Sequence, residues 1–187
     1  MFGALATIVL LTTLASANDV AVTSSSGRGS CGVHGTFRAA VPPAVAWEVL
    51  TDYDSLGRFV HSIESSHLER RDDGSLFVRQ TAVGGPTLLR RRFHVLLALE
   101  LEPDRRIGFR DTLGQDFESY EGEWRVTADS SATQIDYDVT AEPRGMVART
   151  FCRGALSHAA QELLTEVRNE MLRRALDGGD AHPRRGD

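Results

Sequence analysis

Between residues 33 and 41 the chain alternates strictly. Val33, Gly35, Phe37, Ala39 and Val41 share one side of an extended segment, and His34, Thr36 and Arg38 share the other. A period of two is the mark of a half-buried strand. Pro42 and Pro43 stop that strand and suit a helix start. Val45, Trp47, Val49 and Leu50 then form one short apolar helical segment, and Leu56, Phe59 and Val60 form a second. Strand patterns return at 63–70, 76–83, 88–101 and 107–111. They continue through Tyr120, Gly122, Trp124 and Val126 on one face, and through Thr133, Ile135, Tyr137 and Val139 on another. The turn-rich stretches between them are of hairpin length, which predicts an antiparallel meander. After Pro143 and Gly145 the period lengthens: Leu156, Ala159, Ala160, Leu163, Val167 and Met171 recur at three and four residues. That spacing predicts one long amphipathic helix, from about 148 to 176, with an apolar stripe that needs a surface to cover.

The order is strand, two short helices, six strands and a long helix. It predicts an α+β domain in which a curved antiparallel sheet of about seven strands wraps the terminal helix, each supplying the apolar face the other must bury. The domain occupies 32–176, and residues 177–187 ("DGGDAHPRRGD") read as a disordered tail. Residues 18–31 are small and polar and read as a flexible lead-in. Residues 1–17 contain an apolar run closed by Ala15-Ser16-Ala17, the small-residue pattern of a cleaved secretory signal, and the run is too short to span a bilayer. The expectation is export, to a periplasmic or extracellular location.

Composition narrows the chemistry. All 21 basic residues are arginine, so a Schiff-base lysine, a phosphate-loop lysine and a lysine general base are excluded. The net charge of -5 argues against a nucleic-acid surface. Arg90, Arg91 and Arg92 alternate sides along a strand and make no one-sided patch, which leaves room only for a transient membrane contact. The six histidines show no metal-ligand spacing, and no metal or cofactor is expected. The stretch "GRGSCG" (27–32) matches the glycine spacing of a dinucleotide loop. A serine run precedes it and a strand follows it, the reverse of the strand-then-helix order that a pyrophosphate site requires. Glu121 and Glu123 fall on the face opposite Tyr120 and Trp124, and read as solvated rather than as an acid/base pair.

Three segments in this order carry a family likeness: "AWEVLTDYDSLGRFVHSIESS" (46–66), "GQDFESYEGEWRV" (114–126), and "IDYDVTAEP" followed by "LLTEVRNEMLRR". With them the chain resembles the START-like, or SRPBCC, superfamily, and within it the polyketide cyclase/dehydrase and coenzyme Q-binding groups. The resemblance implies a helix-grip fold with an apolar cavity between sheet and terminal helix. It implies a hydrophobic ligand there, such as a lipid, an isoprenoid quinone or a polyketide. Gly57 and His61 stand where many relatives carry proline.

On that footing the expected cavity residues are Phe37, Phe77, Phe93, Val95, Phe109, Tyr120, Trp124 and Tyr137 from strands, with Leu163 and Val167 from the helix. Three functions stay open: a binding or carrier protein, a cyclase or dehydratase using Tyr120, Tyr137 or His158 as acid/base, and a ligand-free interaction module. The oligomeric state is not legible. The helix-grip topology also sets the start of the first strand beside the end of the last, so it implies a disulfide between Cys31 and Cys152, the two cysteines of the chain.

Overall fold

A computed structural model describes residues 20–27, 29–84, 90–129 and 131–179. The expected signal segment and the end of the expected tail lie outside these residues. The first element is one the polar lead-in did not announce: β1, Ala21–Ser26, pairs antiparallel with β2, Cys31–Ala39. Its signal is thin, because β1 is mostly exposed and only Val20 and Val22 pack against the core. The turn between the two strands is closed by a bond from the Gly27 N–H to the Ser30 carbonyl at 2.9 Å. The glycines of "GRGSCG" therefore belong to a hairpin.

After β2 come α1 (Pro43–Thr51), a single 3-10 turn (Tyr53–Ser55) and α2 (Leu56–Phe59). Six strands follow: β3 (Ile63–Arg70), β4 (Leu76–Gly84), β5 (Arg91–Glu102), β6 (Arg106–Asp111), β7 (Phe117–Ala128) and β8 (Thr133–Pro143). The long helix α3 runs over Met146–Gly179. All strands form one antiparallel sheet in the order β1-β2-β8-β7-β6-β5-β4-β3. Among the described residues the sheet thus has eight strands rather than about seven, and α3 reaches into the segment expected to begin the tail.

Because β2 and β3 lie toward opposite ends of the sheet, α1 and α2 must cross its concave side, and they close one end of it. α3 covers the rest by lying on β1, β2 and β8 and against α1, to one side of the sheet. Gly35 permits this approach: a Cβ there would sit 2.2 Å from Leu164 Cδ1. Where α3 meets α1 the concavity is filled by Phe37, Val49, Val60, Ile107, Ile135, Leu164, Val167 and Met171.

Two connections fasten the helix. A disulfide joins Cys31 at the start of β2 to Cys152 in α3, with Cα atoms 6.0 Å apart. Closing a loop across a separation of 121 residues stabilises by up to about 5 kcal/mol in the chain-entropy account. At the other end, Glu170, only 9% exposed, receives Arg173 at 2.7 Å and Arg174 at 2.8 Å, and Arg174 also reaches Asp52 at 2.6 Å and Glu48 at 3.2 Å. This network ties α3 to α1.

Candidate functional site

The small side chains of α3 decide where space remains. Toward its C-terminal half the sheet-facing residues are Leu164, Val167 and Met171, and the volume is filled. Toward its N-terminal half Ala155, Ala159 and Ala160 face the sheet, opposite Ala82, Gly84 and Ala141. Short side chains on both walls leave a cavity of about 560 Å3, inside the roughly 300–1,000 Å3 range of small-molecule sites. Its strand wall comes from β3, β4, β5, β7 and β8 and its helix wall from Phe151 to Leu163.

Of the ten expected cavity residues, Phe93, Val95, Tyr120, Tyr137 and Leu163 line this space. Phe37, Phe109, Trp124 and Val167 do not. They belong to or pack against the filled core, because α3 carries its large residues there. Phe77 is a different correction. It pairs with Ala98, whereas its neighbour Val78 pairs with Leu97 on the concave side, in the core. Strand alternation therefore turns Phe77 to the outer face, where the Arg71 guanidinium covers its ring at 3.7 Å.

Phe117 was missed, and the reason is a bulge. The register between β7 and β8 shifts between Phe117 and Ser119. One extra residue changes the parity, so Phe117 and Tyr120, three positions apart, both point into the cavity. With it, the aromatics form a continuous row: Phe93 to Phe117 at 5.6 Å, Phe117 to Tyr120 at 4.9 Å, Tyr120 to Phe109 at 5.9 Å, Phe109 to Tyr137 at 6.2 Å and Tyr137 to Trp124 at 4.3 Å. Gly122 makes room for this row, since a Cβ there would lie 2.6 Å from Phe109 Cζ. The alanine spacing on α3 was the other available signal.

The polar groups are few and sorted by depth. Inside, the Tyr120 and Tyr137 hydroxyls are neighbours, and burial is the main reason both are raised above the ordinary tyrosine pKa. Gln80 faces the cavity from β4 and donates to Ser66 Oγ at 3.2 Å. At the rim Arg144 donates to the Gly114 carbonyl at 2.9 Å and to Glu118 at 2.8 Å. Arg91 stands 3.7 Å from Asp116 and 4.5 Å over the Phe93 ring, while Arg92 turns away to Glu64 at 2.6 Å. That pairing holds the Glu64 carboxyl below the ordinary carboxylate range. Phe151 is 51% exposed at the rim.

His158 is turned to solvent, 75% exposed and 3.4 Å from Glu162. The other described histidines each face a single carboxylate: His34 with Asp138, His61 with Glu166, His67 with Asp54 and His94 with Asp116. Among the described residues no group of three or more His, Cys, Asp or Glu side chains gathers to hold a metal ion, and no helix is long and apolar enough to cross a membrane.

The family model described as "Polyketide cyclase / dehydrase and lipid transport" matches residues 30–176. No curated protein matches the chain. Among solved structures, the chain is similar to a Thermus thermophilus protein, at 18% identity and TM-score 0.67 over 77% of this chain and 99% of that one. It is similar to the Zhui aromatase/cyclase of Streptomyces sp. R1128, at 21% identity and TM-score 0.67 over 78% and 95%. It is also similar to a STAR-related lipid transfer protein fragment of Xanthomonas axonopodis, at 16% identity and TM-score 0.57 over 81% and 92%. At these identities the likeness is one of fold.

Proposed function

Because this chain belongs to the polyketide cyclase/dehydrase and lipid transport family, we propose that it is an exported binding or carrier protein that holds one hydrophobic small molecule, a lipid, an isoprenoid quinone or a polyketide-like compound, between α3 and the sheet. One observation carries the reading: a cavity of about 560 Å3 walled mainly by Phe93, Val95, Phe117, Leu156, Leu163 and alanines, where the charged side chains among the described lining residues, Arg91 and Arg144, stand half-exposed at the rim. A ligand that buries on the order of 300 Å2 of apolar surface there gains about 7 kcal/mol before the costs of association. Export is supported by the signal-like residues 1–17 and by the disulfide, a bond of oxidising compartments. Phe151 and Arg91, both half-exposed on the cavity lining, suit loading from a membrane surface.

The enzymatic alternative has one observation in its favour, the two tyrosine hydroxyls inside the cavity. Burial keeps both protonated, so they supply hydrogen-bond donors rather than a base. His158 on the solvent side gives this reading no support.

Native mass spectrometry of the exported protein tests the proposal. The mass of the chain should correspond to a start at Asn18, and a fraction should carry a noncovalent adduct that organic solvent extracts. A protein that is uniformly empty, or that retains residues 1–17, contradicts the corresponding half of the proposal.

A further inference from the structure

We propose that the inner end of the cavity recognises a neutral carbonyl oxygen on the ligand, with the Tyr120 and Tyr137 hydroxyls as donors; this rests on reading the cavity as a ligand site. The two side chains come from adjacent strands, Tyr120 opposite Ala141 and Tyr137 opposite Trp124, and both face the cavity. Tyr137 is only 4% exposed. Each hydroxyl owns one O–H, and the pair can share at most one mutual hydrogen bond. At least one donor is therefore left over, and among the described residues no other hydrogen bond reaches either oxygen. A buried donor without an acceptor is costly, whereas a spare lone pair is cheaper to leave unused. The spare O–H faces the cavity and needs an acceptor, a place that water takes in the empty protein and a ligand oxygen takes when it displaces that water.

Charge decides which acceptor. The negative charge of Asp111 acts on Tyr120 and opposes its ionisation. That carboxylate is held in place by the backbone N–H groups of Leu96, Leu113 and Gly114 at 3.0, 2.9 and 3.1 Å. A second anion beside the tyrosines would be repelled in this low-dielectric setting. A ketone, quinone or ester oxygen fits beside the tyrosines, whereas an anionic group finds its cations, Arg91 and Arg144, at the rim of the same cavity. The arrangement also orients the ligand: its oxygen end enters first, and its apolar body lies along Phe93, Phe117, Leu156 and Leu163.

The test uses two probes of nearly the same shape, 2-acetonaphthone and 2-ethylnaphthalene, with the wild-type chain and the Tyr120→Phe/Tyr137→Phe double variant. Each probe's affinity is measured by titration, and the bound ketone's carbonyl stretch by infrared difference spectroscopy. The ketone should lose roughly three- to tenfold in affinity in the double variant, the weight of a neutral hydrogen bond. The hydrocarbon should hold within about twofold, and the carbonyl band should move to higher frequency once the donors are gone. If both probes bind wild type but respond equally to the substitutions, with no movement of the band, the carbonyl site is overturned and the cavity reading stands. If neither probe binds wild type, the cavity reading falls and this inference falls with it.

Discussion

Gly35 and Gly154 are both glycines in regular elements, and the structure assigns them opposite weights. Gly35 lies beneath α3, where a Cβ would meet Leu164 Cδ1 at 2.2 Å, and Leu164 is fully buried. Gly35→Ala forces Leu164 from its place in a filled core or pushes α3 off β2, and should cost about 1–3 kcal/mol. Gly154 lies within α3, exposed, with no atom within 4 Å of the Cβ it lacks. Gly154→Ala should stabilise by about 0.5–1 kcal/mol through helix propensity alone. Denaturant midpoints of the two variants check both signs at once, and a Gly35→Ala protein as stable as wild type would mean that α3 does not press on β2. The same scale shows what one sequence can and cannot disclose. Gly35 was legible as a member of an inward face, but that it receives a helix was not, since the contact joins positions more than a hundred residues apart.

At the scale of elements, the two ends of α3 are held by different chemistry. The Cys31–Cys152 disulfide anchors the end that walls the cavity, and the Glu170, Arg173 and Arg174 network anchors the end that packs on α1. Hydrogen bonds from Arg173 and Arg174 lower the Glu170 pKa from 4.5 to about 2. A carboxyl whose folded pKa is depressed stabilises fully above its unfolded value, and that contribution drains away as pH falls toward the folded one. The window is thus pH 4.5 down to about 2. The contribution is at most about 3 kcal/mol, reduced by solvent screening of the half-exposed Arg173. Glu170→Gln should therefore be less stable than wild type by roughly 2 kcal/mol at pH 7, with the gap shrinking by more than half at pH 3. Urea titrations at the two pH values measure this, and a gap independent of pH would refute the ion-pair account. Elements were the most legible layer of the sequence, because alternation and the three-to-four spacing are local. β1 escaped because its serines carry no pattern, and the cavity face of Phe117 escaped because a bulge reverses parity without leaving a mark in the residues around it.

For the whole molecule, the decisive feature is that one helix rests to one side of a curved sheet, so half of the concavity is core and half is cavity. The fold followed from the order of elements, but the boundary between filled and open volume did not. That boundary depends on Ala155, Ala159 and Ala160 facing Ala82, Gly84 and Ala141 across the sheet-helix gap, and the facing of distant small residues is a tertiary fact. For the same reason Phe37, Phe109, Trp124 and Val167, read as cavity residues, lie in or against the packed half. If the open half is the binding site, filling it should abolish binding without harming the fold. The direct measurement is a titration of an apolar fluorescent probe into the wild-type chain and into Ala159→Trp, with thermal unfolding of both. The account predicts one saturable site in wild type, a loss of at least about tenfold in affinity in Ala159→Trp, and a melting temperature no lower than that of wild type, since filling a void adds contacts. Equal binding by the two proteins, or no saturable binding by wild type, would contradict it.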